Sequence, residues 1–269
     1  MRLLDLRIEA DCSQDYPCLN GGSELMKPLT LEQAANRIMV ALDYPDAMAA
    51  KQLMMQLEGI PCYMKVGMQL FYAAGPDFVR DLKDHGYRVF LDVKMHDIPN
   101  TVKGGANSVT KLGVDMFNVH AAGGSQMLKA AMEGVHDALD ADSKLEMPTV
   151  IAVTQLTSTS EQMMNEEIGI QGAVRDSVVR YARLTKEAGL HGVVASPQEV
   201  ALIKQACGED FKTITPGIRP AGSAIGDQSR VMTPEQAFAE GTDYVVIGRP
   251  ITAASSPREA LESILEGLM

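Results

Sequence analysis

The chain is short of basic residues, of paired cysteines and of long apolar runs, and each shortage removes a class of function. Lys and Arg number 24 against 35 Asp and Glu, a formal charge of −11 at pH 7 over 269 residues. Nucleic-acid binders usually carry a basic face, so no nucleic-acid partner is expected. Small anionic substrates stay open, because a local cluster of cations can oppose the net field. No run of about 18 apolar residues occurs, so neither a transmembrane helix nor a membrane partner is expected. The four cysteines, Cys12, Cys18, Cys62 and Cys207, form no Cys-x-x-Cys pair, and no His follows at zinc-finger spacing. They read as free thiols of a reducing compartment, the cytoplasm, with a Cys12–Cys18 bridge as the alternative. The N-terminus, MRLLDLRIEADCSQDYPC, lacks a basic region followed by an apolar core and so does not read as a signal peptide; its acids disfavour a transit peptide.

Two further absences narrow the fold. No Gly-x-Gly-x-x-Gly follows the first apolar run, which ends ALDYPD, so a dinucleotide-binding unit is unsupported. No side-chain pattern repeats with a period of 20–50 residues, which argues against a solenoid. What the chain does have is rhythm. Eight short apolar runs, RIMVALD (37–43), CYMKVGM (62–68), RVFLDVKM (88–95), MFNVHA (116–121), TVIAVTQL (149–156), GVVAS (192–196), KTITPGI (212–218) and YVVIG (244–248), read as strands buried on both faces. Helical patterns lie between them. Residues 46–58 place Met48, Leu53, Met54 and Leu57 near one face; residues 76–84 open on Pro76; residues 197–206 open on Pro197 behind Ser196 as N-cap. Gly86, Gly113, Gly189 and Gly241 fall where helices should end. Eight unbroken strand–helix units predict an α/β chain of the (β/α)₈ TIM-barrel class rather than an open sheet. Residues 37–269 are expected to form this single barrel. Residues 1–36, mixed and polar, read as a partly ordered extension, with Met26 as a natural start of the folded domain.

Barrels carry their chemistry at the C-terminal strand ends. Asp43 ends the first run, Lys65 sits inside the second, and Asp92 and Lys94 lie two apart on the third, hence on one face of a regular strand, with Asp97 just beyond. Charges buried in a barrel mouth must pair with each other or with a ligand. A lysine held charged between carboxylates is a proton donor for a carbanion and a stabiliser of developing negative charge. His96 and His120 read as structural, and no trio of ligands at matched spacing suggests a metal site.

A second cluster lies at the seventh and eighth runs, where barrels often bind phosphate. The seventh opens into a long loop containing Gly217, Arg219, Gly222, Gly226, Gln228 and Arg230, and the eighth ends in Gly248–Arg249. Glycine lets backbone N–H groups approach an anion, and arginine offers a forked, permanently charged donor. The loop is long enough to serve as a lid. The hydroxyls of TQLTSTS (154–160) could hydrogen-bond a heterocycle or sugar.

DVKMHDIPNTV (92–102) resembles the Asp-x-Lys-x-x-Asp signature of the orotidine 5′-phosphate decarboxylase family in its bacterial form. VALD (40–43), KVG (65–67), QLTS (155–158), TPGIRP (215–220) and VIGRPI (246–251) resemble the same family in the same order, from about Arg37 to the C-terminus. The resemblance implies a dimeric (β/α)₈ barrel that converts orotidine 5′-phosphate to UMP and CO₂ in pyrimidine biosynthesis, without cofactor or metal. It implies that Lys65, Asp92, Lys94 and Asp97 form the charged catalytic network, with Lys94 protonating C6. It further implies that Asp43 binds the ribose, that Thr157 contacts the pyrimidine, and that Arg219, Gln228, Gly248 and Arg249 hold the phosphate. Asp97, with Ile98 and Thr101 beside it, would reach the neighbouring subunit's site. Sugar-phosphate enzymes of the same superfamily share Asp-x-Lys-x-x-Asp but use Mg²⁺; the HDIPNT continuation here favours the nucleotide enzyme.

Overall fold

The computed structural model describes residues 29–221 and 232–269. Eight parallel strands close into a barrel in sequence order: β1 (Ile38–Ala41), β2 (Tyr63–Gly67), β3 (Arg88–Met95), β4 (Met116–His120), β5 (Thr149–Val153), β6 (Gly192–Val194), β7 (Lys212–Thr215) and β8 (Tyr244–Ile247). Closure is made by β8 against β1, where Met39 stands opposite Val246. Helices α1 (Leu31–Ala35), α2 (Ala47–Gln56), α3 (Met68–Asp84), α4 (Pro99–Thr110), α5 (Gly124–Ala141), α6 (Val174–Glu187), α7 (Val200–Cys207), α8 (Pro234–Ala239), α9 (Arg249–Thr252) and α10 (Pro257–Glu266) accompany the strands. The expected (β/α)₈ barrel is the observed one.

The two faces of each strand do different work. Outward residues such as Ile38, Val40, Leu91, Phe117 and Ile247 pack under the helices in the main core. Inward residues Met39, Tyr63, Phe90, Met116, Ile151, Ile214 and Val246 fill the lower barrel. Two residues further along the same faces come Ala41, Lys65, Asp92, Asn118 and Val153, because side-chain direction repeats every second residue. The interior is therefore apolar below and charged above along β2 and β3.

The N-terminal end of the barrel carries its own ion network. Asp243, just before β8, accepts from Lys204 Nζ at 2.7 Å, from Lys212 Nζ at 3.3 Å and from the Thr213 N–H at 2.8 Å. Lys204 gives its other hydrogens to the carbonyls of Glu209 (2.7 Å) and Phe211 (3.1 Å). Arg37 donates to the carbonyls of Asp243 and Thr242 at 3.0 and 2.6 Å, tying the start of β1 to the turn before β8.

Three local readings change. Helix α1 lies inside the stretch assigned to the extension; a Thr30–Gln33 capping box starts it, and Ala34 and Ala35 are fully buried against the core. Helix α3 starts at Met68, ahead of Pro76, and bends where Gly75 takes φ 70°, so Pro76 begins its second segment. Met48 is 72% exposed although Leu53, Met54 and Leu57 are buried. At about 3.6 residues per turn, Met48 lies half a turn away from Leu57. The four helix-ending glycines all have positive φ, from 74° at Gly113 to 91° at Gly241. Helices α4 and α5 touch backbone to backbone: a Cβ at Gly134 would collide with the Lys103 carbonyl. Cys62 and Cys207 are free and buried, and burial pushes the Cys62 thiol up to about 12. Cys12, Cys18 and Met26 lie outside the described residues.

Candidate active site

The upper ends of β1 to β3 present a chain of alternating charge. Asp43 Oδ1, just past β1, accepts from Lys65 Nζ of β2 at 3.1 Å. Lys65 Nζ stands 3.3 Å from Asp92 Oδ2 of β3, and Asp92 Oδ1 accepts from Lys94 Nζ at 2.6 Å. Burial opposes the charged form of Lys65, yet Asp92 and Asp43 outweigh it and raise its pKa above the ordinary lysine value. Burial likewise opposes the Asp92 carboxylate, but Lys65 and Lys94, with hydrogen bonds from Lys94 and Asn118, hold it below the ordinary carboxylate value. Burial differs along the chain: the Lys65 side chain is 9% exposed, Asp92 13%, Lys94 26% and Asp43 65%. The charge becomes accessible at Lys94 and Asp43.

Asp92 and Lys94 do meet on one side, but not through regular alternation. Lys94 has φ 51°, the only positive φ at a non-glycine among the described residues. The β3–β4 register jumps from Leu91 opposite Phe117 to Met95 opposite Val119. Asn118 of β4, fully buried, sits at that jump. Its Oδ1 accepts the Lys94 backbone N–H at 2.7 Å, and its Nδ2 donates to Asp92 Oδ1 at 2.7 Å. The sequence reading passes over Asn118, although a polar amide in the centre of a buried strand demands partners and is a signal of a network.

These groups form one wall of a cavity of about 490 Å³ at the C-terminal end of the barrel, with Asp43, Lys65, Asp92 and Lys94 on its surface. That volume lies within the range of small-molecule sites. Phe90, Val153, Val194 and Val246 give it an apolar floor. Thr157, Gly217, Arg219, Gly248 and Arg249 also line it, Gly248 beside Asp43 where β8 closes on β1. Gly217, at φ 82°, lets the chain turn after β7 in a conformation that side-chain-bearing residues rarely adopt. Arg219 donates from Nη1 to the Ile218 carbonyl at 2.9 Å. Both expected clusters therefore face one space. Gln228, with Gly222, Gly226 and Arg230, lies outside the described residues.

Asp97 and Thr101 do not line this cavity. They line a second groove of about 870 Å³ with Met68, Phe71 and Tyr72, and Lys94 borders both spaces. The Asp97 carboxylate accepts the Ile98 N–H at 2.6 Å. Ile98 and Tyr72 beside the groove are 67% and 73% exposed. The His96 and His120 rings lie tilted by 38° with centroids 5.6 Å apart, and neither lines the cavity. Burial, then the neighbouring His96 and Lys94, push the His120 pKa below its ordinary value. Among the described residues no three His, Cys, Asp or Glu side chains gather as metal ligands would, and no helix is long and apolar enough to cross a membrane.

Comparison with known proteins agrees with this geometry. Residues 36–264 match the model of the orotidine 5′-phosphate decarboxylase / HUMPS family. A relative from Streptococcus thermophilus named orotidine 5′-phosphate decarboxylase is 53% identical over 230 residues, covering 85% of this chain and 96% of its own. A protein of the same name from Bacillus cytotoxicus is 50% identical over 227 residues, covering 84% and 94%. Among solved structures, an orotidine 5′-phosphate decarboxylase from Lactobacillus acidophilus aligns with a TM-score of 0.77 at 40% identity, covering 87% of this chain and 99% of its own.

Proposed function

The chain belongs to the orotidine 5′-phosphate decarboxylase / HUMPS family, and from that premise we infer that it decarboxylates orotidine 5′-phosphate to UMP and CO₂, a step of pyrimidine biosynthesis. The observation that carries the reading at residue level is the Asp43–Lys65–Asp92–Lys94 chain lining one cavity together with Arg219 and Arg249. In the proposed reaction the C6–carboxylate bond breaks, CO₂ departs with its carbon, and the electron pair stays on C6. The Lys94 ammonium gives its proton to C6, and solvent reprotonates the amine. Asp92, held ionised by Lys65 and Lys94, fixes the ammonium at the reacting end. Asp43 binds ribose hydroxyls, Thr157 contacts the pyrimidine, and Arg219, Gln228, Gly248 and Arg249 grip the phosphate. The phosphate is remote from C6, so its binding energy serves to orient the ring and exclude water. These side chains supply the reaction without cofactor or metal.

The placement of Asp97 and Thr101 supports a homodimer in which they complete the neighbouring subunit's site. Their groove is flanked by exposed Ile98 and Tyr72, the kind of apolar surface a second copy covers. Mixing Asp97→Ala with Lys94→Ala subunits tests this. A mixed dimer keeps one site with both groups intact, so activity should return on mixing; no recovery refutes the shared site. Buried, unbridged Cys62 and Cys207 fit the reducing cytoplasm.

The primary test is direct. Orotidine 5′-phosphate is added to the protein in excess chelator, and the loss of orotate absorbance is followed. Turnover is expected. No change overturns the decarboxylase reading.

A further inference from the structure

We propose that Asn118 is a positioning residue that sets the Lys94 ammonium on its target by holding a distorted β3 in place. The proposal rests on the decarboxylase reading for its kinetic consequences, but its structural basis stands apart from that reading.

Between the Leu91–Phe117 and Met95–Val119 pairs, β3 has three residues, Asp92, Val93 and Lys94, where β4 has one, Asn118. The bulge removes regular β4 partners from this stretch, and within it the Lys94 backbone takes φ 51°. A left-handed backbone at a side-chain-bearing residue persists only where its surroundings over-determine it. The Asn118 amide does this from two sides. Its oxygen takes the Lys94 N–H at 2.7 Å, fixing the backbone from which the ammonium is carried. Its nitrogen donates to Asp92 Oδ1 at 2.7 Å, the same oxygen that receives Lys94 Nζ at 2.6 Å. One amide therefore anchors both ends of the lysine, its main chain directly and its ammonium through the carboxylate.

The residue type is decided by that double task. Asparagine combines an acceptor with a donor on one short planar group. Aspartate would keep the acceptor but set a second carboxylate against Asp92. Leucine would fill much the same volume and do neither. Asn118 is fully buried and is not part of the cavity wall, so it acts through Lys94 and Asp92 rather than on substrate.

The test compares full-length wild type with Asn118→Leu, Asn118→Asp and Asn118→Ser, measuring kcat, KM for orotidine 5′-phosphate, UMP affinity and melting temperature. Misplacement of a reacting group by about 1 Å can cost about 100-fold in rate. For the Leu and Asp variants a fall in kcat of that order is expected, with KM and UMP affinity changed by less than about threefold. Asn118→Ser retains a hydroxyl that can donate and accept, so it should keep more kcat than either. It also decides the matter if the others do not fold: a kcat equal to wild type overturns the proposal. A lowered melting temperature with unchanged kcat per folded molecule, or a loss confined to KM, also overturns it. A crystal structure of Asn118→Leu reads the proposal without turnover, so it separates this idea from the decarboxylase assignment. Lys94 should leave the left-handed region and its ammonium should move off Asp92; an unmoved Lys94 defeats the proposal even if wild type proves to be a decarboxylase.

Discussion

Two lysine–aspartate networks occupy opposite ends of the same barrel, and they are satisfied to different degrees. At the N-terminal end Lys204 spends all three ammonium hydrogens on Asp243 and two carbonyls, and Asp243 takes two lysines and a backbone N–H. At the C-terminal end the Lys94 ammonium makes, among the described residues, one hydrogen bond, to Asp92, and borders an open cavity. Chemically similar groups thus do different work. A saturated network locks strand ends together, while an under-saturated one at the C-terminal face, where barrels carry their chemistry, keeps donors for a ligand. The difference lies in unused hydrogen-bonding capacity rather than in residue type.

Lys94→Ala should break the upper network where it is functional. Loss of a positioned general acid typically removes about 10²–10⁴-fold in rate, so turnover should become undetectable or nearly so, while UMP still binds. Melting should change little, because Asp92 keeps Lys65 and Asn118 as partners. Full activity in this variant would defeat the role assigned to Lys94.

Lys204→Met should do the reverse. Removing one partner of a buried ion pair costs about 3–5 kcal/mol, and Lys204 is 7% exposed with Asp243 at 19%. Denaturant unfolding should show a loss of that order, with kcat of the folded protein unchanged. A catalytic defect with unchanged stability would erase the contrast between the two ends.

Arg249→Ala sharpens the upper end alone. A hydrogen bond to a charged group is worth about 1.5–3 kcal/mol, so kcat/KM should fall by roughly 10–100-fold. Unchanged kcat and KM would remove Arg249 from the phosphate grip.

Much of this contrast was legible in the residues. The eight apolar runs lie on the eight strands, and the Asp–Lys alternation over Asp43, Lys65, Asp92 and Lys94 converges in space. Strand parity and the position of a barrel's strand ends suffice for that, since both are local rules. The bulge at Lys94 and the part of Asn118 were not legible. A register jump depends on how β3 meets β4, which is a tertiary relation, and the period-2 rule assumes regular pairing. The separation of Asp97 and Thr101 from the Lys94 cavity is likewise a matter of where the chain turns after β3. Sequence alone marks them as near Lys94 without saying which space they face.

The smallest effect expected is a pH dependence at the lower end. His191 precedes β6, and its Nδ1 accepts the Val150 N–H of β5 at 2.9 Å. That ring nitrogen must be unprotonated to accept. Burial, then the charge of His136, lowers the His191 pKa below its ordinary value of 6.5. In the interval between the folded and unfolded values the unfolded chain binds more protons, so stability rises with pH through that interval. It is complete above about 6.5, the unfolded value, and is lost as pH falls through the folded one. His120, lowered too, acts in the same sense at the upper end. His191→Asn keeps an acceptor oxygen near the Nδ1 position but cannot titrate there. Its unfolding free energy should therefore fall less than that of wild type on acidification from pH 7 to pH 5, by an amount on the order of one hydrogen bond, about 1 kcal/mol. Identical slopes for the two proteins would show that His191 does not couple the lower barrel to pH.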